Sequence, residues 1–154
     1  MYLSIIILIY SIFVLFFFND VIIFGNTFAS GDSFNPYAIH HILDQIRLAS
    51  SEWPQWQPWI FSGMPTLEAF TYVNLLYLPS YFLDLLGVSD LNIQFMHLVF
   101  SAVSMFYLVQ KLIQNKKIAF ISGLLWMLNP FLITMIVYGH GSQMMTAAFF
   151  PITL

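Results

Sequence analysis

Cysteine is absent from all 154 residues. That excludes disulfides, thiolate nucleophiles and zinc–thiolate centres. Charge is nearly absent too: Asp, Glu, Lys and Arg make up 7% of the chain, against about 25% in a typical soluble domain. Basic residues number four and the formal net charge is −3. With no basic patch to meet a phosphate backbone, nucleic acid is excluded as a partner. The chain also has no glycine-rich phosphate loop, no DxD pair and no internal repeat.

What remains is apolar. The chain is 60% hydrophobic and 19% aromatic, with a mean hydropathy of +0.82. Such a composition reads as an all-α, polytopic membrane protein whose first partner is the lipid bilayer. Residues 2–24 form the first expected transmembrane helix, interrupted only by Asn19 and Asp20. A signal peptide would start basic and have a shorter core, and no Lys or Arg precedes this run. Residues 91–110 and 118–137 are the second and third expected spans, with Pro130 as a kink. Lys111, Lys116 and Lys117 crowd the 111–117 loop between them. The positive-inside rule places that loop, and with it the N-terminus, in the cytoplasm.

The third span then exits outward. Residues 138–143 become an extracytoplasmic turn, and 144–154 the start of a fourth helix. A span needs roughly 20 residues, so a chain ending there reads as the N-terminal piece of a longer protein. Residues 25–90 become one large extracytoplasmic loop. Inside it, 70–87 is apolar but carries Pro79 and Asp84, so it reads as a re-entrant or interfacial segment rather than a span. Residues 36–50 read as an amphipathic interfacial helix. Asn35 would cap it, Pro36 would open it, and Ile39, Ile42, Leu43 and Ile46 would form its apolar stripe.

Several residues carry chemistry beside a plain structural role. Asp32 is a turn aspartate ahead of the helix, or a carboxylate held at the membrane surface to take a proton or bind a cation. Trp53, Trp56 and Trp59 recur every third residue, broken by Pro54 and Pro58. In a polyproline-type helix they would line one face, either as an interfacial anchor or as a stacking wall for a sugar ring or a lipid head. "SGMP" after them reads as a tight turn, with Gly63 at positive φ. Arg47, His140 and Gln143 are donors suited to phosphate or sugar oxygens. His140 lies in "YGHGSQ", which also reads as a plain turn between spans. His40 and Asp44 share a helix face, but no third ligand stands at a usable spacing for a metal.

Four stretches together resemble the start of the YfhO-like bacterial membrane proteins: "GD" at 31–32, "PQWQPWIFSGMP", "NLLYLPSYFLDLL" and "YGHGSQMMTAAFFPITL". The match runs from about Gly31 to the end. These proteins look like GT-C-type glycosyltransferases, and the resemblance implies the N-terminal fragment of a GT-C-like fold in the bacterial cytoplasmic membrane. It implies transfer of a sugar from a polyprenyl-phosphate carrier to a cell-envelope polymer on the outer face, with inversion at the anomeric carbon. The acidic residue of the family's first external loop falls on Asp32, as general base or metal ligand. Many GT-C enzymes have two acidic residues close together, whereas Asp32 stands alone. A divalent metal ion would therefore need Glu68, or a residue beyond Leu154, beside Asp32. A transporter or flippase is the rival reading, resting on Gln94, His97 and Asn129 within spans. A non-catalytic envelope assembly protein is the other.

Overall fold

A computed structural model describes residues 2–59, 61–66 and 77–154. Helix accounts for 71% of it. It departs from an all-α chain at one place, an antiparallel ladder pairing Trp56 with Pro65 and Gln57 with Met64. The chain divides into two compact units, residues 1–28 with 89–154 and residues 29–88.

The first unit is a helical bundle. Helix α1 covers Tyr2–Phe17 and is followed by the short α2, Asn19–Ile22. The expected single span over 2–24 is therefore interrupted at Phe18. The Asn19 side-chain amide donates to the Phe16 carbonyl at 2.9 Å, a local bond that competes with the helical ladder. The apolar part of α1, Leu3–Phe17, is shorter than a membrane span requires.

Five further helices among the described residues complete this unit, and the second long rod is broken. Helix α5, Asp90–Ile113, starts behind Ser89, whose hydroxyl accepts from the Asn92 N–H. It runs on past Lys111 and ends on Gln114 in the left-handed conformation. The expected seven-residue loop at 111–117 thus shrinks to Gln114 and Asn115. Asn115 then caps α6, Lys116–Met127, by accepting from the N–H groups of Lys117 and Ile118. The rod breaks at Leu128–Asn129. Asn129 caps α7, Pro130–Val137, where proline in the first turn gives up no intrahelical bond. Helix α8, Gly141–Ala148, and the short α9, Phe150–Thr153, follow. The turn after α7 is thus only 138–140, and the last stretch is two helices separated at Phe149.

Side-chain contacts orient the rods. Leu3 lines a cleft with Phe106, Tyr107, Gln110 and Lys116, whereas Phe18 packs on Phe95 with ring centres 4.7 Å apart. So α1 runs antiparallel to α5. Ala102 of α5 lies against Gly123 of α6, as an antiparallel hairpin turning at 114–115 demands. Gln94 lies against Gly141 and Phe100 against Phe149 at 4.9 Å, so α8 returns along α5. The lysine-bearing end and the Gln94–Gly141 end are then about 24 Å apart, sixteen helical residues at 1.5 Å each.

The core is Tyr10, Leu98, Ala102, Phe106, Ala119, Met127, Leu132, Ile136 and Met144 with their neighbours. The outside is equally apolar: Leu8, Ile12, Phe16, Leu112, Ile121, Leu125 and Phe131 are all exposed. Polar groups are on the inside instead, with His97, Ser101 and Ser104 buried. Two described helical segments, Leu91–Ile113 and Lys116–Val137, are long and apolar enough to cross a membrane. Single cysteines at Asn115 and Gln143 should accordingly react with an impermeant thiol reagent from opposite sides of a membrane. Labelling of both from one side would refute this arrangement.

The second unit contains α3, Gly31–Ser50; the strands β1, Trp56–Gln57, and β2, Met64–Pro65; and α4, Leu78–Leu85. Helix α3 begins five residues before the expected start at 36. The Ser30 carbonyl accepts from the Phe34 N–H, which puts Ser30, not Asn35, in the capping place. Pro36 is inside the helix rather than in its first turn. Of the expected stripe, Ile39 and Leu43 are buried, but Ile42 is exposed. Residues 70–76 of the expected re-entrant segment are outside the described residues, and Leu78–Leu85 within the rest of it forms α4. Partial burial pushes the Tyr77 phenol up from its ordinary value by desolvation, so it stays a neutral donor at physiological pH.

Candidate functional site

Helix α3 sets the geometry of the second unit. Asp32 lies in its first turn and Arg47 in its last. Each complements the helix macrodipole at its own end, a purely structural service of a few tenths of a kcal/mol to about 1 kcal/mol. Fifteen residues of continuous helix hold the two about 22 Å apart. The arrangement expected from sequence, with Asp32 as base and Arg47 on the leaving phosphate, needs both within a few ångströms of one anomeric carbon. The helix keeps them from meeting there.

Arg47 belongs to a different group. Its guanidinium carbon is 4.6 Å from the centre of the Trp53 ring, a cation–π contact. Asp44 is one turn back at 3.9 Å, an exposed and therefore weak pair. The planar guanidinium keeps its donor fork while stacked, which suits carboxylate or phosphate oxygens.

The chain then turns through the hairpin. Trp56 is on β1 and Trp59 in the loop beyond it, so the proline-type helix expected for the three tryptophans is replaced by a β-ladder. A spacing of three serves either geometry, and the ladder wins because the Thr66 N–H also donates to the Gln55 carbonyl at 3.1 Å. The Thr66 hydroxyl donates to the Pro54 carbonyl. Phe61, Ser62 and Gly63 all take positive φ. Gly63, at +113°, presses so closely on the Trp56 ring that a Cβ would sit 2.6 Å from the indole nitrogen. Trp53, Trp56 and Trp59 are 43%, 53% and 51% exposed; the hairpin holds them out rather than packing them away. Beneath, Gln57 is fully buried and neither end of its amide has a hydrogen-bond partner. No signal in the sequence marked Gln57, because alternation over a two-residue strand is too short to read.

His140 and Gln143 are in the other unit. His140 stands just before α8; its N–H donates to the Met135 carbonyl at 2.7 Å, and its own carbonyl accepts from Gln143 at 3.1 Å. Gln143 is exposed. These residues close the turn between α7 and α8, as the plain reading expects. Asp32 and His140 thus belong to separate units.

For a metal, the His41 ring is hydrogen-bonded to the Gln45 amide at 3.0 Å, and Glu68 is outside the described residues. Among the described residues no group of three or more His, Asp or Glu side chains is placed to hold an ion.

The interior of the first unit carries a feature that sequence reasoning saw only in part. Gln94, His97, Ser101 and Ser104 recur at intervals of three, four and three on α5, so they share one face. The His97 Nδ1 donates to the Ile93 carbonyl at 2.8 Å, and the Ser101 hydroxyl to that of Leu98 at 2.7 Å. Gln94 Oε1 and Ser104 Oγ are buried without partners. Asn129, grouped with Gln94 and His97 by sequence, is spent on the α7 cap.

No known protein family, curated protein or solved structure matches the chain.

Proposed function

We propose that this chain is part of an integral membrane glycosyltransferase that moves a sugar from a polyprenyl-phosphate carrier to a cell-envelope polymer at the extracytoplasmic surface. The observation that carries the reading is the Arg47–Trp53 stack, with Trp56 and Trp59 also exposed in the same unit. Flat aromatic faces suit sugar rings, and the guanidinium suits the anionic groups of an envelope polymer.

The 22 Å spacing along α3 assigns the parts differently from a single compact site. Arg47 and the tryptophans hold the acceptor polymer some sugar units away from the reacting end. Asp32 takes the proton of the attacking hydroxyl, a step worth about 10²–10⁴-fold in rate. Direct displacement at the anomeric carbon releases the lipid phosphate and inverts the centre.

The test compares wild type, Asp32→Asn and Trp53→Ala at matched membrane levels in a strain lacking the gene. Masses of envelope polymers and lipid-linked sugars are read out. Wild type should restore a hexose-sized difference, Asp32→Asn should reduce it at least a hundredfold, and Trp53→Ala should raise the acceptor concentration needed. Full restoration by Asp32→Asn would end the catalytic assignment.

A transporter is the second reading, favoured by the buried face of Gln94, His97, Ser101 and Ser104. Polar side chains inside an apolar rod are expensive and usually functional. That reading predicts loss of function on Gln94→Leu or Ser104→Ala with Asp32→Asn unaffected.

A further inference from the structure

Helix α4 carries an exposed apolar face. Leu78, Tyr81, Phe82, Leu85 and Leu86, the last directly after the helix, are between 41% and 78% exposed. They stand at intervals of three, one, three and one. At 100° per residue they share an arc of about 140°. Ser80 and Asp84, four residues apart, fall on the opposite arc in the same register. The helix is therefore amphipathic, with its apolar stripe turned outward.

The surrounding chain narrows what can meet that stripe. From Leu48 to Gln110 there is no Lys or Arg, and the charged residues are Glu52, Glu68, Asp84 and Asp90. An acidic ligand finds no cation there, and the exposed arc itself holds no charge. The membrane-crossing segment Leu91–Ile113 begins five residues after Leu86. Five residues reach at most about 18 Å, so the bilayer is within range of the face.

Helix α4 does not run on into that segment. The N–H groups of Leu86 and Val88 both donate to the Leu83 carbonyl at 3.0 Å, and Gly87 takes a φ of +74°. This is a glycine-terminated helix stop, and Ser89 then caps α5 as a separate helix. Eight residues make a helix about 12 Å long, against a hydrocarbon core of roughly 30 Å.

We propose that α4 lies flat in the lipid–water boundary of the leaflet that α5 enters, with its stripe about 5–10 Å deep and the Ser80–Asp84 arc on the water side. A re-entrant course would carry Asp84 into hydrocarbon, where a carboxylate is expensive. The partner is a zwitterionic lipid surface. Burial of the stripe supplies the attraction, and the acidic neighbourhood disfavours anionic headgroups. This rests on the membrane reading, not on the transferase reading.

Because the chain lacks cysteine, single cysteines at Phe82, Leu85 and Asp84 of the full-length protein each accept one environment-sensitive fluorophore. The protein is reconstituted in phosphatidylcholine vesicles carrying a quencher either high on the acyl chain or near its end. Labels at Phe82 and Leu85 should emit blue-shifted light and lose more intensity to the high quencher than to the deep one. The label at Asp84 should emit as in water and be quenched by iodide. Exchanging half of the phosphatidylcholine for phosphatidylglycerol should not strengthen the lipid quenching; an increase would overturn the lipid assignment. Stronger quenching from the deep position would mean a re-entrant course and overturn the proposal. Blue-shifted emission without lipid quenching would also overturn it, since the stripe would then be packed on protein, either a second copy or another part of the full-length chain. Vesicle flotation separates the two readings. Protein that floats with water-like emission at Phe82 and Leu85 refutes the α4 assignment and leaves the membrane reading standing, whereas protein that does not float overturns both. If Phe82→Cys melts below wild type, Tyr81→Cys replaces it on the same stripe and should read the same depth.

Discussion

Gly123→Ala is expected to loosen the bundle by about 3 kcal/mol, the upper end of the usual cost of overpacking. A methyl at Gly123 would stand 2.3 Å from the Tyr10 hydroxyl and 2.6 Å from the Ala102 carbonyl oxygen. The carbonyl is helix backbone and cannot step aside without moving α5. Tyr10 has no room either: it is fully buried, stacked on Phe120 at 5.2 Å, and donates to the Phe120 carbonyl at 2.9 Å. Three helices therefore meet at one hydrogen atom, the close approach that small residues permit between membrane helices. The measurement is thermal unfolding of the detergent-solubilised protein, with a fall of several degrees expected. Tyr10→Phe, which loses only the hydrogen bond, should cost roughly 1 kcal/mol. A Gly123→Ala protein melting with wild type would mean that the α1–α5–α6 crossing is not as close as described.

Gly63→Ala should disorder the tryptophan hairpin while leaving the bundle intact. Two effects add at this residue. Its φ of +113° is a region that an L side chain enters at about 1–3 kcal/mol. The new methyl would also meet the Trp56 ring at 2.6–2.8 Å, pushing the indole off the turn. A two-residue ladder has little else to hold it, since isolated hairpins are marginal even when longer. Limited proteolysis is the readout, with cleavage between residues 58 and 63 rising at least tenfold. If Trp56 helps the Arg47–Trp53 stack hold the acceptor, activity should fall to the level of Trp56→Ala. Unchanged proteolysis would show that the ring and the turn are not in contact.

Much of the bundle was legible in the chain because its signals are compositional. The long uncharged runs at 91–110 and 118–137 predict rods, and the lysines between them predict a corner. Pro130 predicts the break, since proline cannot donate within a helix and opens one well. Gly63 at the end of the tryptophan segment predicts a positive φ, since glycine alone takes it without cost. Boundaries were less legible. Asn19 interrupts α1 through a side-chain bond that hydropathy does not register, and α3 starts at Gly31, ahead of the Asn35–Pro36 pair that marks a helix start in the sequence.

The candidate site divides along the same line. Residue types that bear the chemistry, Asp32, Arg47 and the three tryptophans, are legible as types, because charge and indole are rare enough in this chain to stand out. Their grouping is not. One unbroken helix separates Asp32 from Arg47, and the guanidinium stacks on Trp53 while the hairpin holds Trp56 exposed; neither arrangement is encoded in spacing alone. Composition and periodicity report what each residue prefers to touch, since transfer from water to an apolar surrounding depends on the side chain itself. Which partner it touches depends on how whole elements cross. That is why the apolar rods were visible in the chain, while the seat of Gly123, the buried amide of Gln57 and the lysine-lined cleft appear only once the helices are packed.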